Sequence, residues 1–230
     1  MNTIHLKTVH MKAWRWLVPG CLLIVAACSD EQTTVPPPAA PDAEHVTREA
    51  WVDFEAGDLT SALAGFDRAV VLDADYADAQ VGRGWCLLRG ADGSGPLANA
   101  EAAFTTAATL EPTNPDALAG RAGARLGLGA GEFAGAIADA EAALALDPDY
   151  AFTHVPAYTA TALRLIDAQA RVAQGDFAAA LTALDVVFPS NLDADNPDTW
   201  VVEGHIEASF ETAVLAHLNR VNALWRVDML

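Results

Sequence analysis

Few side chains in this sequence are able to do chemistry, and their spacing assembles no reactive set. Glu203, His205, Glu207 and Glu211 form the one patch whose residue types resemble a metal-ligand group. On a helix, positions 203, 207 and 211 share a face while His205 points elsewhere, so a solvated acidic face is expected. No HExxH, no CxxC pair and no dense aspartate loop occurs, and no metal is expected. Nucleophile motifs are equally lacking. There is no GxSxG, no Walker loop and no GxGxxG after a strand, and Gly82-Arg-Gly84 lies inside a helical pattern. His154 has no acid and nucleophile beside it. The chain reads as a non-enzyme without a cofactor.

Recognition chemistry is better represented. Arg83, Arg89, Arg121 and Arg125 are spaced at helical intervals and would suit a carboxylate, which guanidinium grips through two parallel hydrogen bonds. Trp51 and Trp85 occupy equivalent places once a four-residue insertion is removed. Tryptophan and arginine are the types that dominate interface energies. These six residues are the candidate partner-binding set. Cys28, discussed below, is a candidate modification site.

The elements that must position them recur. Gly57, Gly95, Gly131 and Gly175 each open a similar phrase, spaced 38, 36 and 44 residues apart. Two residues on come Leu59, Leu97, Phe133 or Phe177, and five on come Ala62, Ala100, Ala136 or Ala180. Nine on lie Phe66, Phe104, Ala140 or Leu184, and twelve on lie Ala69, Ala107, Ala143 or Val187. Pro112 and Pro148 close the second and third units. A period of this length marks one supersecondary unit stacked several times. Hydrophobic residues reach 52%, many of them alanine, and no run alternates with period two, so the units are helical.

This pattern resembles the tetratricopeptide repeat, a unit of two helices, A and B. In that family a glycine ends helix A, a small residue sits where A and B cross, and a proline follows B. The resemblance implies an all-α solenoid of about four helix pairs over 45–188. A polar linker and a C-terminal capping helix should follow over 189–230, with apolar residues recurring from Asp198 to about Arg226. It also sorts the arginines. Arg48, Arg83, Arg89, Arg121, Arg125, Arg164 and Arg171 fall on A helices, and Arg68 alone falls on a B helix. Because A helices line the groove in that family, the resemblance implies a positive stripe facing a partner protein or peptide, acidic or carboxylate-bearing. Departures are Ala74 in place of the first proline, and insertions at 90–95, around 127–131 and at 149–156. The last is the largest and lengthens the fourth A helix or forms an ordered loop. A lid over a small molecule or glycan is the alternative use for it.

Charge sets further limits. The formal net charge is −18, and beyond residue 27 ten basic residues, all arginines, face 31 acidic ones. Such a field opposes nucleic acid and anionic membrane surfaces.

The first 27 residues hold Lys7, Lys12 and Arg15 and no acid. Lys12–Arg15, the apolar stretch 16–27 and a small-residue end have the layout of a secretory signal too short to span a membrane. Met11-Lys12 makes a more usual start than Met1, so residues 1–10 are read as an upstream start-site assignment. Val25-Ala26-Ala27-Cys28 resembles the lipobox of bacterial lipoproteins, which implies diacylation at Cys28. Ser29 in the next position leans toward the outer membrane. Residues 28–44 then form a proline-rich tether. An exported, lipid-anchored scaffold of the cell envelope is the functional expectation. With Cys28 acylated, Cys86 would be the only thiol left in the exported chain, so no internal disulfide is expected.

Overall fold

The computed structural model describes residues 41–225 apart from Ala91. The signal segment, Cys28 and all but the end of the tether lie outside the described residues, as does Arg226. Eight helices follow one another in pairs. They are α1 (Ala43–Glu55) with α2 (Leu59–Leu72), α3 (Ala77–Arg89) with α4 (Ser94–Leu110), α5 (Pro115–Leu128) with α6 (Phe133–Leu146), and α7 (Ala160–Gln174) with α8 (Phe177–Asp185). A last helix, α9 (Phe210–Trp225), packs on α8 and α7. Odd-numbered helices α1 to α7 are the A set and contact one another along the stack, α1 with α3, α3 with α5, and α5 with α7. The chain is an all-α solenoid.

Local chemistry explains the helix ends. Asp42, Asp58, Asn114 and Asp176 each accept a backbone N–H two or three residues ahead, satisfying donors the first turn leaves open. Glu132, at the N-cap of α6, makes no such bond. Gly175 ends α7 in the left-handed region at φ 82°, where a Cβ would be strained.

The crossing alanines Ala62, Ala100, Ala136 and Ala180 are fully buried. Two phenylalanines of the B helices need more room than alanine gives. A Cβ on Gly82 would lie 2.1 Å from the Phe66 ring, and Cβ atoms on Gly84 and Gly120 would lie 2.7 and 2.3 Å from Phe104. Glycine inside α3 and α5 costs helix propensity, about 1 kcal/mol each. It admits two large apolar rings between successive pairs, a larger gain.

Two expectations change. Gly95 does not sit at an A-to-B turn. It lies in the first turn of α4, and the turn is made by Gly90 to Gly93, with Gly93 at φ 93°. The downstream positions Leu97, Ala100, Phe104 and Ala107 are nonetheless buried, because the helix was extended backwards without shifting its register. The C-terminal segment is not one long helix or a bent pair from Asp198. Residues 197–199 form a 3₁₀ turn, and Val201–Val202 pairs antiparallel with His205–Ile206. Glu203 and Gly204 connect them with both φ values positive, 51° and 83°, the signature of a two-residue hairpin turn. Glu203, Glu207 and Glu211 therefore share no helix face, and the acidic patch dissolves. Among the described residues no group of His, Cys, Asp and Glu is placed to hold a metal ion.

Candidate functional site: the A-helix face and its strap

The A helices carry one aligned stripe. On α3 it runs Asp78, Trp85, Arg89; on α1 it holds Trp51 and Glu55; on α5 it holds Asp116, Ala119 and Gly123. Spacings of three, four and seven residues keep each set on one helix face. The 149–156 insertion, expected to lengthen the fourth A helix or to form an ordered loop, forms the loop. It turns back across this stripe from the third pair to the first.

The loop, here called the strap, is closed by its own backbone. Phe152 donates to Tyr158 O at 2.9 Å, Tyr158 donates to Val155 O at 2.8 Å, and Ala160 donates to Tyr150 O at 2.6 Å. Its side chains face α1, α3 and α5. The Tyr158 hydroxyl donates to the Ala119 carbonyl of α5 at 2.7 Å. Phe152 stacks on Trp85 of α3, ring centroids 4.5 Å apart at 16°. The His154 ring lies parallel to Trp51 of α1 at 3.8 Å, and its Nδ1 meets the Glu55 carboxylate at 2.7 Å. Trp51 Nε1 is held in turn by both Asp78 oxygens at 3.2 Å. Trp51, Trp85, Tyr150, Phe152 and Tyr158 are each 5% exposed or less.

Glycine decides where the strap can sit. Gly123 occupies on α5 the place that Trp51 and Trp85 hold on α1 and α3, once the insertions of four and two residues before Gly95 and Gly131 are removed. A Cβ there would lie 2.9 Å from the Tyr158 hydroxyl. The missing side chain is the seat of the tyrosine.

Burial raises the acids of the stripe. Asp78 is pushed above the ordinary carboxylate value chiefly by desolvation, with the Trp51 N–H and His154 pulling the other way. Asp116 is raised by burial too, partly offset by Tyr150. The Tyr150 and Tyr158 hydroxyls are held protonated by burial, and Asp116 reinforces this at Tyr150. Away from the strap, burial pushes the Cys86 thiol up to about 12.

The tryptophans of the candidate set thus come together on one face, beneath the chain's own strap. The arginines do not join them as a group. Arg121 and Arg125 project from the opposite side of α5, between α4 and α6. Arg121 donates to both oxygens of Asp139 at 2.8 and 2.7 Å and to Thr105 at 3.3 Å. Arg125 donates to Asp139 and to Glu101, each at 2.8 Å. Arg83 pairs with Asp67 of α2 at 2.8 Å. These three use their charge within the stack, because a B-helix carboxylate lies in reach of each. Only Arg89 of the four stands on the stripe, exposed, its guanidinium 4.9 Å from the centre of the Phe54 ring.

Sequence reading missed Asp78, Asp116, Tyr150, Phe152 and Tyr158. A signal was present in and just after the insertion, where Tyr150, Phe152, His154 and Tyr158 lie within nine residues, an unusual density of rings for a surface loop. Two of the three tyrosines in the chain fall between 150 and 158. Nothing local marked Asp78 and Asp116, whose burial depends on a segment up to 76 residues away.

Solved structures with a similar fold include tetratricopeptide proteins. A thermophilic one from Thermus thermophilus is 16% identical, with 81% of this chain and 93% of that one aligned at a TM-score of 0.51. YrrB, described as a tetratricopeptide protein with an unusual peptide-binding site, is 18% identical over 82% of this chain and 89% of its own, at 0.55. A third, from Parabacteroides merdae, is 17% identical over 81% and 68%, at 0.51. The likeness is one of fold. No protein-family model matches the sequence, and no curated protein does. The tetratricopeptide-like fold nevertheless covers the pairs α1 to α8 in the order the glycines and crossing alanines implied.

Proposed function

We propose that this protein is a lipid-anchored adaptor of the bacterial cell envelope that holds an extended segment of another protein. The observation that carries the reading is the A-helix stripe. Its indoles and acids run across three successive helix pairs, and a stretch of chain nine residues long, 150–158, already lies along it. A face built to accept extended backbone and aromatic side chains is a binding surface for peptide, one of the standard uses of a helical groove. Arg89, exposed at the end of the stripe, is the side chain placed to meet a carboxylate of that segment. No helix among the described residues is long and apolar enough to cross a membrane. Attachment is assigned to acylation of Cys28. The signal-like start and the lipobox-like Val25–Cys28 support export and anchoring, and Ser29 favours the outer membrane.

Crosslinking in intact cells followed by mass spectrometry tests the adaptor. Recovery of the same partner with the wild-type chain, lost on Trp51→Ala and Trp85→Ala together, is the expected result. Fatty-acid analogue labelling that is equal in wild type and Cys28→Ala would refute the anchor.

A further inference from the structure

The strap occupies the surface on which the adaptor reading places a partner, and its own chemistry describes that partner. We propose that residues 150–158 are an internal occupant of the Trp51–Trp85 groove, displaced by a segment that turns as they do and carries an aromatic side chain and, two residues on, a cationic one. This deepens the adaptor reading and rests on it.

Three observations carry it. First, the strap is bound as a ligand is bound. Its backbone hydrogen bonds close on itself, and none joins it to α1, α3 or α5 among the described residues. Contacts to those helices come from side chains: two stacked rings, the Tyr158 hydroxyl and the His154–Glu55 contact. It can therefore leave as one unit with its internal bonds intact. Second, the groove is a pair of equivalent pockets. Trp51 and Trp85 stand at the same repeat position on neighbouring A helices, and they receive His154 and Phe152, two residues apart within the turn that the Val155 N–H closes on the Phe152 carbonyl at 3.2 Å. A segment that turns in the same way, with rings at positions i and i+2, meets both indoles in the same register. Third, the surface beside His154 is acidic. Glu55 faces the His154 ring, and Asp78 and Asp116 lie beneath the strap. The groups acting on Asp78 include Glu111, and those acting on Asp116 include Asp147. A carboxylate is thus opposed at the His154 position, while a guanidinium or imidazolium over Trp51 would gain both stacking and Glu55. The Arg89 guanidinium, at the end of α3, lies 4.9 Å from the centre of the Phe54 ring.

The test uses the full chain with residues 152–157 replaced by a Gly-Ser linker, and a synthetic peptide of residues 149–159 added in trans. Quenching of tryptophan fluorescence reports occupancy. The altered chain should bind the peptide saturably and at least ten-fold more tightly than wild type, and Trp51→Ala should abolish the effect. Replacing the histidine of the peptide by arginine should retain binding, and replacing it by glutamate should weaken it at least ten-fold. A helical altered chain that binds none of the peptides overturns the proposal, as does wild type binding equally well. An altered chain that fails to fold also overturns it, since a displaceable occupant is not required for the fold. The full-length double variant Phe152→Ala, His154→Ala guards against a linker artefact and should bind the free peptide more tightly than wild type. Equal binding by that variant and wild type counts against displacement. The adaptor reading fails separately, if crosslinking in cells finds no partner while the free peptide still binds.

Discussion

Asp139 is the carboxylate on which the arginines of α5 depend, and its removal distinguishes a structural cluster from a surface held ready for a ligand. The Asp139 side chain is 6% exposed and accepts three charged hydrogen bonds, two from Arg121 and one from Arg125. Asp139→Ala leaves Arg125 with Glu101 and leaves Arg121 with Thr105 alone. Breaking a buried pair by deleting one partner costs about 3–5 kcal/mol, since the other charge stays behind unpaired. Here the arginine side chains are 16% and 21% exposed, so water reaches them in part. A loss of about 2–4 kcal/mol is therefore expected, toward the lower end of that range. With a urea slope of about 1–3 kcal/mol/M, the midpoint should fall by roughly 1–2 M. Urea unfolding followed by far-ultraviolet circular dichroism is the assay. Replacing the cluster together, as Arg121→Met, Arg125→Met, Asp139→Leu and Glu101→Gln, should restore most of the loss, because no charge is then stranded. A loss below about 0.5 kcal/mol for Asp139→Ala, at unchanged slope, would refute the reasoning and return Arg121 and Arg125 to the pool of ligand contacts.

Three further outcomes are expected. Asp116 has its folded-state pKa raised by burial, so it stabilises the fold only while protonated, and that contribution disappears as pH rises through the folded value. Asp116→Asn should therefore melt higher than wild type at pH 7.5. The difference should vanish below about pH 3.9, where the unfolded carboxyl is protonated too, and a constant difference at both pH values would contradict this. Gly123→Ala should leave global stability near zero change, the gain of about 1 kcal/mol in helix propensity offsetting a hydroxyl bond of similar worth. Hydrogen exchange at Phe152 and Tyr158 should nonetheless accelerate, because the new Cβ would lie 2.9 Å from the Tyr158 hydroxyl. Cys86, buried with its thiol pushed up to about 12, should resist iodoacetamide at pH 8 until urea unfolds the chain.

The helix pairs were legible because their signal is local. Ala62, Ala100, Ala136 and Ala180 must be small wherever two helices cross, and Pro112 must end a helix whatever surrounds it. Gly95 misled because Gly90, Gly93 and Gly95 lie within six residues, and the backbone could turn at any of them. The Val201–Ile206 hairpin was hidden by apolar residues that also suit a helix. Glu203-Gly204 was the one local sign of a two-residue turn, and a glutamate at positive φ is uncommon. The candidate site was half legible. Trp51 and Trp85 stood out by type and repeat position, but whether they faced solvent or a neighbour was decided by the insertion. Arg121 and Arg125 fell on the expected helix and on its other side, since helix assignment alone does not set which acids lie across from a residue.

The contact between His154 and Glu55 spans 99 residues of sequence. In an open solenoid each unit touches only its neighbours, so stability is close to a sum along a line and the ends fray first. The strap joins the loop after the third pair to the first helix and turns that line into a ring. Opening α1 then requires breaking a contact made far along the chain, and the terminal unit shares the fate of the middle ones. Closure of so long a loop carries an entropic cost that grows only logarithmically with length, yet it must be met before the stacking on Trp51 is gained. While the strap is docked, the first pair and the third are therefore coupled to one another directly, and not only through the pair between them.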